Sequence, residues 1–232
     1  MEECMSRGTK KLEGNIIKHK SGLWIWEGTC DIYVPGQVKD YALLSLEGKT
    51  VLDLGAHIGA FSKKAIQSGA SQVIAVEPLE DNYVLFTRNL EEYENVTLIP
   101  AAVVGSICTE ETRPFWLCMG DTSAHSLVQA RGRTEVVVNT VKINTLLEMF
   151  NPEVVKVDIE GAEYDVLNKM INDGSIHYIK KLFVEFRWDK LNMVKEDHDN
   201  LINKLKNIKT LEILPETYRY FKRHNNEIVK KI

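Results

Sequence analysis

VLDLGAHIGAF, residues 51–61, reads as a buried strand running straight into a glycine-bracketed turn and a helix. Val51, Leu52 and Leu54 form the apolar run expected of a central parallel strand, and Gly55 and Gly59 let the backbone turn tightly and approach a ligand without a Cβ in the way. The spacing is Gly-x-x-x-Gly with Asp53 two residues before the first glycine, where the dinucleotide fingerprint is G-x-G-x-x-G. A carboxylate there is poorly suited to a pyrophosphate and well suited to a cation. S-adenosylmethionine carries an ammonium and a sulfonium and no phosphate, so an acidic strand end fits it better than it fits NAD. The stretch therefore points toward methyl transfer, against the alternative of a tight structural turn of the kind common in α/β proteins.

Working outward, strands alternate with helices from Thr50 onward, which predicts an α/β fold: a Rossmann-like, doubly wound, mostly parallel sheet. A helix over Ala60–Ser68 should stop at Gly69, and QVIAVEP should follow as a second strand ending in Glu77-Pro78. Leu79, Tyr83, Phe86, Leu90 and Tyr93 recur at helical spacing, and VTLIPAAV reads as a third strand. Residues 105–140 break the alternation with short apolar runs, PFWLCM and EVVVNTV, which predict an inserted antiparallel β-hairpin. Next come a short helix over Thr145–Phe150, the strand EVVKVD, a helix stopped by Gly174, the strand KKLFVEF and an amphipathic helix over Leu191–Ile208. LEIL and the tail from Tyr218 to Val229 are expected to close the sheet as an antiparallel pair.

Residues 1–49 read as an N-terminal extension and cap, and 50–232 as the main domain, with no internal repeat. The first fifteen residues are charged and aperiodic, hence loosely attached; GLWIWEG and DIYVPG suggest two short strands, followed by a short helix around Asp40–Leu46. A net charge of −4 gives no global signal for nucleic acid. Cys4, Cys30, Cys108 and Cys118 form neither a C-x-x-C pair nor a zinc-site spacing and read as free thiols of a reducing compartment. No run of eighteen apolar residues occurs, so a cytoplasmic protein with no membrane partner is expected.

In an open parallel sheet the ligand binds beyond the carboxyl ends of the strands. Asp53, Glu77 and Asp158 each end an apolar run there. Glu77, eighteen residues past Gly59, stands where ribose hydroxyls need a bidentate acceptor, with capping of the following helix as its other role. In VVKVDIEGAEYDVL, Asp158, Glu160 and Glu163 crowd a turn around Gly161, which is electrostatically costly unless a cation is present. The bland alternative places Glu160 and Glu163 in the first turn of a helix, where negative charge is favoured. No histidine or asparagine accompanies these acids at a ligand spacing, so no metal is expected.

VLDLGAHIGAFS, VIAVEP, the helix carrying Asn82 and Asn89, and above all VKVDIEGAE together resemble the FkbM-type class I S-adenosylmethionine-dependent methyltransferases, over roughly Thr50–Phe186. VKVDIEGAE looks like that family's D-x-E-G-x-E hallmark. The resemblance implies S-adenosyl-L-methionine as cofactor, with Asp53, Gly55, Ala56 and Gly59 around its methionine part, Glu77 at the ribose, and Ala101 or Ala102 near the adenine. His57 occupies a cofactor-loop position where the family pattern often has asparagine, and Lys156 matches a lysine common in the hallmark strand.

The expected activity is O-methylation of a hydroxyl on a small molecule or sugar, with Asp158 or Glu160 as general base and Asp158 also at the cofactor. Ser123, His125 and Ser126 of the hairpin are within reach of an acceptor in this reading, and His125 is the alternative base. An RNA ribose 2′-O-methyltransferase ranks second: Glu185 and Arg187 end the next strand suitably, but Lys180 and Lys181 lie at its wrong end. A non-catalytic cofactor-binding module ranks last, since Asp53, Glu77, Asp158 and Glu160 are all present.

Overall fold

The structure, a computed structural model, describes residues 14–37, 45–105, 111–118, 124–129, 132–187 and 195–213. Several expectations fall outside those residues: the loosely attached start up to residue 13, most of the helix around Asp40–Leu46, Cys4, Cys108, Ser123, and the tail from Tyr218 to Val229. Among the described residues, Ile16–Lys18 (β1) and Trp24–Trp26 (β2) form an antiparallel hairpin. A 3₁₀ turn over Cys30–Tyr33 and the short helix α1 (Val34–Gln37) follow. DIYVPG was expected as a strand and is this helical pair instead. The Thr29 side chain accepts the Asp31 N–H and caps the turn, and Asp31 is drawn inward to accept from the Trp26 N–H.

The central sheet is built from β3 (Thr50–Leu54), β4 (Gln72–Val76) and β5 (Val96–Ile99), with α2 (Ala60–Gln67) and α3 (Glu80–Leu90) as crossovers. A smaller sheet follows, made of β6 (Ala102–Val104), β7 (Thr112–Leu117) and β8 (Thr134–Lys142). After α4 (Ile143–Phe150) the chain re-enters the central sheet as β9 (Val154–Val157), crosses through α5 (Glu163–Asn172) to β10 (Lys181–Val184), and through α6 (Lys195–Lys206) to β11 (Glu212–Ile213).

The six strands lie in the order β11-β10-β9-β3-β4-β5, all parallel. The chain winds outward from β3 to β5, returns to β9, and winds outward the other way. The switch in strand order therefore lies between β3 and β9, where Asp53 is in register with Lys156. Both sheet faces are covered, which is why the strands read as unbroken apolar runs. Leu52, Leu54, Val155 and Val157 pack against Leu146 of α4 and Leu167 and Met170 of α5, while Val51, Val73 and Val154 pack against Phe61 and Ala65 of α2. Each such aliphatic side chain contributes about 1.5–3 kcal/mol on burial.

One further expectation is corrected. VTLIPAAV is two strands rather than one: Pro100 has no N–H to give a ladder, the Ala101 N–H turns back to the Ile99 carbonyl at 2.9 Å, and β6 leaves to pair parallel with β8. LEIL supplies β11 and pairs parallel with β10, because α6 carries the chain back across the sheet as a crossover before it; the antiparallel partner expected for it in the tail lies outside the described residues. The inserted hairpin is present, with β7 and β8 antiparallel from Thr112↔Asn139 to Leu117↔Thr134. Among the described residues no helix is long and apolar enough to cross a membrane.

Candidate active site

At the switch point the loops after β3, β4 and β9 meet around a cleft that, with its open mouth included, spans about 990 Å³. Gly55, Ala56, His57, Glu77, Ala101, Ala102, Asp158 and Glu160 all line it. Gly55 sits at φ 78°, and a Cβ there would run into the Asp158 carbonyl, so the two loops can touch only through a glycine. Gly59 is not part of the lining: a Cβ on it would strike Phe86 and Leu90, so it serves the packing of α2 on α3.

Asp53 is also withdrawn from the cleft. It is fully buried, with Oδ2 accepting the Ser62 hydroxyl at 2.7 Å and Oδ1 accepting Lys156 Nζ at 3.1 Å. What the cleft meets is Lys156, whose Nζ also donates to the Gly55 carbonyl at 3.0 Å and lies 3.6 Å from Asp158 Oδ2. Burial works against the Lys156 charge, but Asp53 and Asp158 outweigh it and hold the ammonium above its ordinary range. A lysine in the hallmark strand needs a paired acid, and here it has two. Asp158 keeps a side chain 23% exposed, and its buried Oδ1 has no hydrogen-bond partner among the described residues.

Glu77, at the strand end, both anchors the following helix and lines the cleft. Oε1 accepts from the Leu79 N–H and Asn82 Nδ2, each at 3.1 Å, which anchors the start of α3, while Oε2 accepts the His57 N–H at 3.0 Å, its one hydrogen bond among the described residues. Burial pushes its carboxyl up, against the His57 imidazole and these donors.

The loop after β9 is held from beneath. Glu163 folds back beneath it: its carboxylate accepts the Gly161 N–H with both oxygens at 2.9 Å and the Ile159 N–H at 3.2 Å. Burial, only partly offset by the Gly161 N–H, pushes Glu163 up to about 7. Glu160, at φ 58°, accepts Arg187 Nε and a terminal guanidinium nitrogen on one oxygen, at 3.1 and 3.0 Å, and Arg187 also pairs with Glu185 at 2.6 Å. The hairpin closes over this side: the Ser126 hydroxyl donates to the Glu160 carbonyl at 2.6 Å, and Phe115, His125 and Leu127 line the cleft. His125 Nδ1 accepts the Cys118 N–H at 2.9 Å, so the neutral ring carries its proton on Nε2. Lys180 and Lys181 stand at the far end of β10, paired with Glu153 and Glu212.

Sequence reasoning named Glu185 and Arg187 only for a rival reading, and it missed Asn82, Phe115 and Val34 as lining residues. Their signals are positional: each comes into reach only through tertiary folding. Four carboxylates, Glu77, Asp158, Glu160 and Glu185, face two cations, Lys156 and Arg187, in the cleft. That excess of negative charge, the spare lone pairs of Glu77 Oε2, the unpartnered Asp158 Oδ1 and the small Ala101 and Ala102 side chains fit a nucleoside ligand of net positive charge, as S-adenosylmethionine is.

A doubly wound parallel sheet with an acid-lined switch-point cleft and no phosphate-binding G-x-G-x-x-G loop defines the class I, S-adenosylmethionine-dependent methyltransferase architecture. Within it, the chain belongs to the FkbM methyltransferase family: the Methyltransferase FkbM domain matches residues 53–212. Among solved structures, the chain is similar to an S-adenosylmethionine-dependent methyltransferase assignment from Streptococcus mutans (14% identity, 85% of this chain and 47% of that one, TM-score 0.44). It is similar also to a precorrin-6y C5,15-methyltransferase from Geobacter metallireducens (14%, 80% and 75%, TM-score 0.41). A third is a protein from Pyrococcus horikoshii assigned as an RNA methyltransferase (18%, 65% and 57%, TM-score 0.34). The chain spans about half the length of the first and third of these. No curated protein sequence matches it.

Proposed function

We propose that this chain is an S-adenosylmethionine-dependent O-methyltransferase acting on a hydroxyl of a small molecule or sugar, with Asp158 as the group that takes the hydroxyl proton. The observation that carries this reading is Asp158 Oδ1: a buried carboxylate oxygen without a partner among the described residues, in the switch-point cleft, beside the Lys156 ammonium. S-adenosylmethionine supplies, when bound, a methyl group on a sulfonium whose charge is lost on transfer. Glu77, Gly55, Ala56, Ala101 and Ala102 are the residues that would hold it. Asp158 orients the acceptor hydroxyl and receives its proton as the oxygen–methyl bond forms, while Lys156 stays on the other carboxylate oxygen. Most of the acceleration comes from holding the two partners in line. Glu160 suits the base role less well, because proton uptake would weaken its two bonds from Arg187. His125 suits hydrogen-bond donation from Nε2 better than proton abstraction. Lys156 and Arg187 are both engaged by carboxylates, which speaks against a nucleic-acid backbone in this cleft.

Calorimetry with S-adenosylmethionine and S-adenosylhomocysteine tests the cofactor: binding of both is expected, and Glu77→Ala should weaken it by about 1.5–3 kcal/mol, the scale of a charge-assisted hydrogen bond. Binding of NAD with none of either ligand would sink the reading. A mass-spectrometric screen with labelled cofactor then finds the acceptor. With it in hand, Asp158→Asn should leave fold and cofactor affinity nearly unchanged and lower turnover by a factor of roughly 10² to 10⁴. A larger loss from Glu160→Gln would move the base to the helix side. Cofactor binding with no transfer to any acceptor would favour the non-catalytic module.

A further inference from the structure

The segment that precedes the central sheet is built into the wall of the cleft. Val34 lines it, and Asp31 is fully buried, with Oδ2 accepting the Trp26 N–H at 3.1 Å and Oδ1 lying 3.4 Å from His57 Nε2, within ion-pair distance but outside hydrogen-bond geometry. His57 sits in the cofactor loop at φ 52°, a backbone that glycine or asparagine adopts more readily, and its N–H is the donor to Glu77 Oε2. The next residue is tied as well. Asn89 Nδ2 donates to the Ile58 carbonyl at 2.8 Å and to the Trp24 carbonyl at 3.0 Å, and its Oδ1 accepts the Trp24 N–H at 2.6 Å. Two successive residues of the loop are thus held by groups that also hold the N-terminal hairpin. Asp31, Trp24 and Trp26 all lie before the matched segment 53–212.

We propose that Asp31 is a positioning residue for the cofactor site: acting through His57, it fixes the backbone N–H that orients Glu77, and so makes the N-terminal segment part of the ribose subsite. The proposal rests on the reading of the cleft as an S-adenosylmethionine site. The carboxylate facing Nε2 tethers the imidazole ring, and through the ring the backbone that carries the N–H to Glu77. Removing its charge without changing its shape should loosen the loop around His57 while leaving the hairpin docked through Asn89.

Two variants test this. Asp31→Asn keeps the volume and an acceptor for Trp26; His57→Asn relieves the backbone and keeps the N–H to Glu77. Each should bind S-adenosylhomocysteine roughly five- to thirtyfold more weakly than the wild-type chain by calorimetry, with a thermal midpoint for His57→Asn no lower than wild type. The double variant should be no weaker than the worse single one, because both break one contact. A merely structural role would leave ribose recognition alone, whereas here the preference for methylthioadenosine over its 2′-deoxy counterpart should shrink in both. Unchanged affinity, additive losses or an undiminished 2′-hydroxyl preference overturns the proposal, and His57→Asn decides alone if Asp31→Asn does not fold. A wild-type chain that binds neither S-adenosylhomocysteine nor S-adenosylmethionine overturns the functional reading as well, which separates the two failures.

Discussion

Strand β9 has a triad of lysines and carboxylates at each end, one acid between two lysines at the amino end and one lysine between two acids at the carboxyl end, and water separates their behaviour. At the amino end Glu153 accepts from Lys180 at 2.7 Å and Lys49 at 2.9 Å, with side chains 66% and 35% exposed. Three residues on, Lys156 lies between Asp53 at 3.1 Å and Asp158 at 3.6 Å and is 4% exposed. Solvated ion pairs of the first kind contribute about 0–1 kcal/mol, because water already satisfies the charges. Buried ones cost several kcal/mol of desolvation per ion, which their mutual attraction roughly repays. The contrast teaches that charge count does not mark the working end of the sheet. Charge held out of water does, and here it stands at the switch in strand order.

The largest effect should come from removing the buried cation. Lys156→Met leaves Asp53 buried with only the Ser62 hydroxyl, and the loss in stability by urea denaturation should be about 3–5 kcal/mol. Asp53→Leu combined with Lys156→Met should recover much of that stability, since apolar replacement of a buried pair is often neutral. S-adenosylhomocysteine affinity should stay low in the double variant, because the Gly55 carbonyl has lost its donor and Asp158 its neighbour. Full recovery of both would show the buried triad to be as structural as the exposed one.

The same contrast explains what was legible in the sequence. Local patterns carried the alternation of strands and helices and the glycine-bracketed turn. They carried the inserted hairpin too, because each is written in periodicity and turn chemistry over a few residues. The patterns also named Asp53 for the cleft, and the structure turns it away: strand alternation and the Asp53↔Lys156 register put its carboxylate on a lysine a hundred residues later. Gly59 read as a ligand-approach glycine and instead makes room for Phe86 and Leu90, a packing demand no local pattern encodes. VTLIPAAV was mistaken for one strand because Pro100 interrupts an otherwise continuous apolar run, and apolar runs do not say which sheet they join. Asp31 was passed over since its burial depends on His57, twenty-six residues away in sequence.

A second way to sharpen the comparison uses pH at Glu163, the fully buried acid of the carboxyl end. Its folded-state value of about 7 stands above its unfolded value near 4.5, so the folded state binds the proton more tightly. The stability this contributes is fully present below about pH 4.5, is lost as pH rises toward 7, and is flat beyond. Over that interval it amounts to about 3 kcal/mol. Unfolding free energies measured at pH 5 and pH 8 should therefore differ by less in Glu163→Gln than in the wild-type chain. Parallel pH profiles for the two would place Glu163 in a solvated setting and weaken the contrast between the ends.

The smallest effect belongs to Glu153, and its smallness is the point. The Lys180 ammonium, and after it Lys49, hold the Glu153 carboxyl below its ordinary value. The sign is therefore opposite to that of Glu163: the stability it contributes is present above about pH 4.5 and is lost as pH falls through the depressed value. Glu153→Gln keeps the side-chain shape and leaves the backbone untouched, so the Glu153 carbonyl still accepts the Lys180 and Lys181 N–H groups and the Glu153 N–H still reaches the Thr50 carbonyl. Only the charge goes, and both lysines can turn to water. Urea denaturation at neutral pH should register at most about 1 kcal/mol, shrinking further in high salt, where solvated pairs are screened. Cofactor affinity should not change, because the residue lies at the opposite end of β9 from the cleft. A loss above about 2 kcal/mol, insensitive to salt, would mean that the amino end also withholds its charges from water, and burial would then no longer distinguish the two ends of the strand.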